Sequence, residues 1–516
     1  MDTLKTITGK NKSYYMNILI FKNTIFLFFR MMVVVFLSLV TIRLLLEKVG
    51  FEDYGIFILA SSVIYLSSFI TGALNTIATR YISNSLVLGD EKTKDTFSDL
   101  LKLTFTLVLI IGFILYLIYV YIIPNYIVLK SEYIYIFNMV YVFSCLVFLI
   151  DFLKTPFNAL LISLEKISIY SFFEILTSFI RFSSVFLLGY INYDDIISYS
   201  LLIFVFSLAL AIFYVGFCVK KIGYFRFSLR GNGDIGLLFN VSLWDIYGNF
   251  CSLLRFQGIT ILINNFFGAL IIAAVGISNQ IQSMGMMLVS NLSTAMKPRI
   301  FKCYAENNHF ELINLVNILV KSSTILLLLV LIPYFLEYQF LLEFWLGSYP
   351  KEVVDISRLI LIFLIFANLS MCAILILHAM GDFKKPSIIN GTLYLLIPVV
   401  TYYLYSKGGE YYLPFFINIF AVMLGGFLNL IYVKVKFKDL FSFYDFYIKS
   451  FLHVLSFGFL VFLFLSYTKN IIIYDWVRFI FISILNLIIF MIYSYFYLLD
   501  LEMKVKIRMK IKGFLK

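Results

Sequence analysis

Residues 171–186, SFFEILTSFIRFSSVF, have nine apolar residues and five Ser or Thr residues, but also one carboxylate and one guanidinium, Glu174 and Arg181. In a helix these two residues, seven positions apart, project from the same face, together with Ser178 and Ser184. At 1.5 Å per residue, the two charges are separated by roughly 10 Å along the helix axis, which is too far for a direct ion pair. Each charge therefore requires another polar partner or water.

Other strongly apolar stretches of the chain also contain charged residues. They are Arg30 and Arg43, Asp151 and Lys154, Asp245 and Arg255, and Lys321. A charge facing lipid at the bilayer centre costs about 2.5–3.5 kcal/mol on insertion scales, so these side chains must face a hydrated cavity or each other. Arg43, Lys154 and Lys321 lie near predicted helix ends, from which they can extend to the membrane surface. For Arg30, Glu174, Arg181, Asp245 and Arg255 we predict a role in a cavity, with structural ion pairs as the alternative.

The chemistry of these residues indicates binding and transport of an anion. Arg30, Arg181 and Arg255 suit an anionic cargo, because a guanidinium binds phosphate oxygens through paired hydrogen bonds. Glu174 and Asp245 could exchange protons or bind Na⁺ and so couple transport to an ion gradient, or they could hold the arginines in place. We expect no metal site, no cofactor and no catalytic residue, because the three histidines are scattered and the five cysteines form no CxxC pair.

The composition indicates the elements that position these side chains. Of the 516 residues, 62% are hydrophobic and only 14% are charged, and the mean hydropathy is +0.96. A soluble chain would have roughly a quarter charged residues. The sequence therefore predicts an all-α polytopic membrane protein with about 14 spans of about 20 residues each. The approximate spans are 23–46, 54–78, 101–123, 133–163, 168–191, 196–218, 238–264, 271–296, 314–336, 356–380, 386–405, 412–433, 446–467 and 473–499.

The basic residues between these spans predict the orientation of the chain. The net charge is +12, and alternate connections have 27 basic residues on one side and 5 on the other. Because basic loops stay in the cytoplasm, both termini are predicted to be cytoplasmic. The first apolar run lacks a cleavage pattern and is predicted to remain as a membrane span. The same distribution argues against nucleic-acid binding.

Two stretches, one from Gly50 to Arg80 and one from Gly268 to Arg299, indicate an internal repeat. Each begins at a glycine after an apolar helix and ends at an arginine about thirty residues later. In both stretches polar and small residues recur every three or four positions, which places them on one helical face. We predict that this face lines a cleft, with four residues as the main candidates. These are Asn75 in the first stretch and Asn279, Ser283 and Ser290 in the second.

The repeat predicts two parallel six-helix lobes around a central cleft. The N-terminal lobe covers 1–235, the C-terminal lobe covers 236–433, and 434–516 holds two accessory helices and a basic cytoplasmic tail. Duplicated halves around a midplane site are typical of alternating-access transporters, although small residues on such faces can also serve only for tight helix packing. The charges do not recur, because Glu174 corresponds to Asn390 and Arg181 to Ile397 at the repeat offset. An anion site would therefore be asymmetric between the lobes.

Several segments resemble the polysaccharide-export branch of the multidrug/oligosaccharidyl-lipid/polysaccharide superfamily, especially Wzx-type O-antigen flippases. The segments are VGFEDYGIFILASSVIYL, INNFFGALIIAAVGISNQIQ, AMKPRIFKCYAE and FWLGS. The resemblance implies a transporter of the bacterial cytoplasmic (inner) membrane that moves undecaprenyl-diphosphate-linked oligosaccharide outward, driven by H⁺ or Na⁺. It also implies a place in surface polysaccharide biosynthesis, with a polysaccharide polymerase and a chain-length regulator as possible partners. No coupling residue is assigned by the resemblance.

Two alternatives remain open from the sequence. A multidrug or cation antiporter of the same superfamily would share the fold but should favour acidic residues over arginines in its cleft. A membrane glycan polymerase or acyltransferase would usually need a large outer loop or a His/Asp centre. The longest outer connection, 337–355, contains no histidine, so the sequence favours a transporter over an enzyme.

Overall fold

A computed structural model describes the backbone of residues 9–164, 166–191, 193–222, 236–382, 384–437, 442, 444–469 and 471–497. Every regular element within these ranges is helical. The chain divides into two compact units, Met1–Ala273 (unit 1) and Ala274–Lys516 (unit 2). This division falls one helix later than the predicted lobe boundary at residue 235. The lobe boundaries concern the sequence repeat and stay a prediction, and the basic tail lies outside the described residues.

Unit 1 is built from nine complete helices and the start of a tenth among its described residues. They are α1 (Gly9–Tyr65), α2 (Ser68–Leu88), α3 (Asp90–Leu117), α4 (Ile123–Tyr126), α5 (Ser131–Leu153), α6 (Thr155–Ser163), α7 (Ile167–Phe186), α8 (Asp195–Ile222), α9 (Gly236–Phe267) and α10 (Ala269–Ala305), with a π-helical turn, Ile118–Ile122, after α3. Helix α1 packs against α5, α7 and α9, and α2 packs against α3, α6 and α9. The predicted span 133–163 is divided between α5 and α6, because Pro156 in the first turn of α6 cannot continue the hydrogen bonds of α5.

Unit 2 contains the rest of α10 and six further helices among its described residues. They are α11 (His309–Leu346), α12 (Lys351–Ala379), α13 (Lys384–Ser406), α14 (Leu413–Phe437), α15 (His453–Lys469) and α16 (Asp475–Tyr497), with a π-helical segment, Tyr444–Leu452, before α15. Helix α12 packs against α11 and α14, and the accessory helices α15 and α16 both pack against α11. Apolar side chains such as Leu328, Ile332 and Val461 fill the contact between α11 and the accessory pair.

Thirteen described helical segments are long and apolar enough to cross a membrane. Large apolar side chains outside the cores are exposed, for example Phe213, Phe420 and Leu460, as expected where the solvent is lipid rather than water. The predicted all-helical polytopic fold is therefore confirmed. The expected count of about 14 spans differs by one. Residues Phe29–Tyr65 count as one segment although Gly50 kinks it, and the segment predicted at 54–78 is divided between the end of α1 and α2.

The two glycines that begin the sequence repeat have similar positive φ angles. Gly50 has a φ of 78° inside α1, and Gly268, between α9 and α10, has a φ of 86°. Residues with a Cβ atom rarely adopt this left-handed region, whereas glycine enters it freely. In both stretches the glycine therefore breaks an apolar helix at the same position of the repeat.

Candidate functional site: charged and tyrosine side chains of unit 1

Helix α7 has Glu174 and Arg181 on one face, as expected from their spacing, and its exposed phenylalanines on the other. Glu174 is half-buried and Arg181 is exposed on one face. Phe172, Phe179 and Phe186, spaced seven residues apart, are exposed on the opposite face. Helix α7 packs against α1 and α8 in unit 1. It has two ionisable groups within a membrane-spanning segment, on the face opposite the phenylalanines.

The structure brings Arg30 and Glu174 together around Tyr170. The guanidinium carbon of Arg30 lies 5.5 Å from the centre of the Tyr170 ring. Arg30 is also hydrogen-bonded to Tyr170, and Glu174 acts electrostatically on the same hydroxyl. Glu174 acts in addition on Tyr214, whose hydroxyl donates a 2.6 Å hydrogen bond to the side-chain oxygen of Asn158. A cation, a carboxylate and two tyrosines thus share one polar group between α1, α6, α7 and α8.

Arg181 lies in a second polar group of unit 1. Its guanidinium is hydrogen-bonded to Tyr65 and experiences the charge of Asp151 and the neighbouring Tyr199. The Asp151 carboxylate is bonded by Lys154 at 2.6 Å. Asp151 therefore already has a cation in contact, while the Arg181 side chain remains exposed.

Arg255 has a different environment from the other two predicted anion-binding arginines. It is only 4% exposed, and its guanidinium carbon lies 4.2 Å from the centre of the Phe256 ring. Its helix, α9, packs against α1 and α2 in unit 1. Access therefore decreases from Arg181, which is exposed, through Arg30, which is half-buried, to Arg255.

The structure describes the other predicted site residues only in part. The side chain of Asp245 lies outside the described residues. Asn75 on α2 is half-buried, and no donor among the described residues reaches its buried side-chain oxygen. On α10, Asn279 and Ser290 are half-buried and Ser283 is exposed. The predicted common cleft stays a prediction for these four polar residues.

Three charges that were expected to extend to the membrane surface have contacts within the chain. Lys154 contacts Asp151, as described above, and only 13% of its side chain is exposed. The amine of Lys321 lies 4.5 Å from the centre of the Tyr497 ring in unit 2. Arg43 forms an exposed ion pair with Glu47 at 3.0 Å. An ion pair with Asp151 therefore describes Lys154 better than extension to the surface does.

The tyrosine partners were missed by the sequence reasoning. Tyr170 precedes Glu174 by four residues and so shares its helical face, a spacing that was visible in the sequence. Tyr65 and Tyr199 come from α1 and α8, and only the packing of unit 1 brings them to Arg181.

Among the described residues, no group of three or more His, Cys, Asp or Glu side chains could hold a metal ion.

The fold and part of the sequence match known transporters. Residues 246–404 match the MatE family model. Among solved structures, the chain is similar to the lipid II flippase MurJ in an inward closed conformation, with 14% identity and a TM-score of 0.65, over 92% of this chain and 99% of that one. It is also similar to an inward-facing multidrug resistance MATE transporter of the MOP superfamily, with 12% identity and a TM-score of 0.64, over 78% of this chain and 95% of that one. The chain has the MOP-superfamily fold.

A further MOP-superfamily structure, a transporter from Pyrococcus furiosus, has 13% identity and a TM-score of 0.60, over 81% of this chain and 96% of that one. No curated protein sequence matches the chain. The MOP-superfamily fold and the MatE match agree with the expectation of a multi-pass membrane transporter rather than an enzyme. The polysaccharide-export branch within the MOP superfamily stays a prediction.

Proposed function

We propose that the chain is a flippase that moves an undecaprenyl-diphosphate-linked oligosaccharide, such as an O-antigen repeat unit, from the cytoplasmic to the outer face of a bacterial cytoplasmic membrane. The diphosphate and sugars occupy a polar cleft while the polyprenyl chain stays in lipid. Two lobes, 1–235 and 236–433, rock to expose the cleft to each side in turn, and both chain termini are cytoplasmic.

The exposure of Arg181 is the observation on which this proposal depends most. It is an exposed guanidinium in a membrane-spanning helix of unit 1, on the face opposite the exposed phenylalanines. Exposing a cation within a span is costly unless it meets water or an anion. A diphosphate offers such an anion, and guanidinium binds it through paired hydrogen bonds. Arg30 and Arg255 are proposed as the other diphosphate-binding residues.

The extent of the fold match supports a lipid-linked cargo. The lipid II flippase match covers 92% of this chain, whereas the multidrug and Pyrococcus furiosus matches cover 78% and 81%. The difference in coverage is 14% of the chain for the multidrug transporter and 11% for the Pyrococcus furiosus transporter. Because the lipid II flippase match covers more of this chain than the other two matches do, we take that flippase as the better precedent for this architecture.

The remaining predicted residues have roles in this proposal. Glu174 shares the Arg30–Tyr170 group, so its protonation or Na⁺ binding would change the charge that Arg30 experiences. We propose Glu174 and Asp245 as the ion-coupling residues. The cleft-lining residues are Asn75, Asn279, Ser283 and Ser290, whose polar groups can bond the sugars.

The experiment is deletion of the gene in its own host, followed by complementation with variants. The deletion should abolish surface glycan and cause lipid-linked oligosaccharide to accumulate on the cytoplasmic leaflet, and the wild-type gene should reverse both effects. Arg30→Ala, Arg181→Ala and Arg255→Ala should each fail to complement while inserting normally into the membrane. Normal surface glycan in the deletion strain would refute the flippase, and normal glycan from all three variants would refute the arginine site alone.

The MatE match at 246–404 favours one second candidate, a multidrug or cation antiporter. An antiporter should change the resistance of the host to cationic drugs without altering surface glycan. Minimum inhibitory concentrations of the deletion strain therefore separate the two candidates. We expect them to equal those of the parent strain.

A further inference from the structure

An open surface cavity of about 740 Å³ lies in unit 2, between the last turns of α11 and the first turns of α12. Its volume is within the range of about 300–1,000 Å³ that is usual for small-molecule sites. The cavity contains Lys351, which the distribution of basic residues assigns to the extracytoplasmic side. All its lining residues belong to unit 2.

A break in α11 shapes this cavity. Glu337 has non-helical dihedral angles, φ −119° and ψ 26°, inside the helix, four residues after Pro333. Arg478 of α16 bonds both carboxylate oxygens of Glu337, at 2.7 and 2.8 Å. The chain then turns at Gly347, whose φ of 76° suits glycine. The segment between Glu337 and Gly347 therefore departs from the axis of the preceding part of α11, and it forms one wall of the cavity.

Aromatic and cationic side chains form a fixed part of the cavity wall. Tyr338 and Tyr349 both line it, and the guanidinium carbon of Arg358 lies 4.1 Å from the centre of the Tyr338 ring. This cation–π contact holds Arg358 in place. Tyrosine presents an apolar ring and a hydroxyl together, which matches a pyranose ring, whose C–H faces are apolar and whose edges are hydroxyls.

The charges of the cavity are balanced. Two carboxylates, Glu343 and Asp355, line it together with two cations, Lys351 and Arg358. Asp355 is held by a 2.6 Å hydrogen bond from the Tyr411 hydroxyl. A diphosphate site would need an excess of positive charge, whereas hydroxyl groups both donate to carboxylates and accept from cations. The balance therefore favours an uncharged polyhydroxylated ligand.

The hydroxyl of Tyr349 remains protonated at physiological pH. Burial raises the pKa of Tyr349, and the neighbouring Glu343 carboxylate raises it further. Tyr349 can therefore both donate and accept a hydrogen bond, next to a carboxylate that can only accept. Gln339, which is exposed in the same cavity, adds a side chain with both a donor and an acceptor.

We propose that this cavity is a saccharide-binding site that receives a neutral pyranose of the cargo at the extracytoplasmic end of unit 2. The identity of the cargo rests on the proposed function, whereas the chemistry of the site rests on the lining residues alone. Tyr349 packs against the sugar ring, and Glu343 and Arg358 bond its hydroxyls. The diphosphate is bound elsewhere, at the arginines of unit 1.

The test is binding of soluble probes to the purified full-length protein, measured by microscale thermophoresis. The probes are the methyl glycosides of glucose, galactose, rhamnose, N-acetylglucosamine and N-acetylgalactosamine, with inorganic pyrophosphate as a charged competitor. At least one glycoside should bind the wild type, and pyrophosphate should not displace it. Binding of none of the five, or displacement by pyrophosphate, would overturn the proposal.

Matched variants test the location of the site. Tyr349→Ala and Glu343→Gln should each weaken glycoside binding about 3- to 10-fold, as expected when one hydrogen bond or ring contact is lost. Tyr474→Ala and Glu352→Gln are the controls, because Tyr474 is exposed and neither residue lines the cavity. Equal binding by all four variants would place the sugar elsewhere and so contradict the inference.

The result of the glycoside-binding test does not depend on the result of the flippase test. Both cavity variants remove surface or half-buried side chains, and their folding can be checked by size-exclusion chromatography. A host that exports glycan normally through a protein that binds no glycoside would refute the cavity site and leave the flippase intact. If the deletion strain had unchanged surface glycan and the purified protein bound a glycoside at the cavity, the flippase proposal would be refuted and the saccharide-binding site would stand.

Discussion

Glu174 and Arg181 of unit 1 and the corresponding positions of the predicted repeat in unit 2 have opposite environments. Arg181 is exposed and Glu174 is half-buried. Their counterparts are neutral and buried, since Asn390 is 7% exposed and Ile397 is 1% exposed. Asn390 accepts a 3.3 Å hydrogen bond from Asn429. The two halves thus share a pattern of helix breaks, but only one of them keeps charges on this face.

Unit 2 does contain a buried charge, but that charge is paired within the protein. Glu337 has a side chain that is 1% exposed, and Arg478 bonds both its oxygens. Its carboxylate therefore has no need of water or of a ligand, whereas Arg181 remains accessible to one. The comparison teaches that a charge in a span is not by itself a sign of a binding site, because the Glu337 carboxylate is neutralised within the protein whereas the Arg181 side chain is exposed.

The largest expected effect is on transport by Arg181→Ala. Loss of a charge-assisted hydrogen bond to the diphosphate costs about 1.5–3 kcal/mol, or roughly a 10- to 100-fold loss of transport rate at limiting substrate. Arg181→Lys should retain part of the activity, because it keeps the charge but loses the paired geometry. Transport is measured with lipid-linked oligosaccharide in proteoliposomes. Full activity of Arg181→Ala would show that exposure does not identify the binding residue.

The next largest effect is on stability, from breaking the Glu337–Arg478 pair. Arg478→Leu leaves a buried carboxylate without its cation, which typically costs about 3–5 kcal/mol. Replacing both residues with leucine should recover much of this loss, because the buried charge is removed as well. Thermal unfolding of the detergent-purified variants measures the difference. If the double variant were as unstable as the single one, the pair would have a role beyond mutual neutralisation.

Glycine-to-alanine substitutions compare the packing of the two units. A Cβ atom at Gly55 in unit 1 would lie 2.1 Å from the backbone oxygen of Ala269, whereas at Gly458 in unit 2 it would meet the end of the Leu328 side chain at 2.6 Å. Backbone cannot move aside as a side chain can, so Gly55→Ala should cost about 1–3 kcal/mol and Gly458→Ala less. Thermal unfolding of both variants measures this difference, and an equal loss would contradict it.

The smallest expected effect comes from the exposed Arg43–Glu47 pair on α1. Such helix-surface pairs contribute about 0.3–0.5 kcal/mol. Arg43→Ala should therefore leave transport unchanged and alter thermal stability by less than can be resolved reliably. It is the matched control for Arg181→Ala, because it removes the same side chain from the same unit. A transport defect in Arg43→Ala would mean that any loss of positive charge in unit 1 is harmful.

Much of the fold could be predicted from local sequence. Runs of apolar residues predicted the helices, because the requirement to span lipid acts on each segment separately. Gly50 and Gly268 were visible as the start of the repeat, and both adopt the left-handed conformation. The count of spans differed by one because the helical segments on either side of Gly50 count together as Phe29–Tyr65, and the predicted span 54–78 is interrupted between Tyr65 and Ser68.

The candidate site could be predicted less completely, because its contacts are long-range. The sequence indicated the charged face of α7, since helical periodicity alone places Glu174 and Arg181 together. It could not indicate that Tyr65 reaches Arg181, or that Glu337 and Arg478, 141 residues apart, form a pair. Such partners depend on which helices become neighbours, and no periodicity within one helix specifies that.

Binding of a short-chain prenyl diphosphate to the purified protein tests the central claim most directly. Wild type and Arg43→Ala should bind this probe with the same Kd, and Arg181→Ala should bind it about 10- to 100-fold more weakly, because only Arg181 presents an accessible guanidinium on the polar face of α7. Equal Kd values for all three proteins would contradict the account.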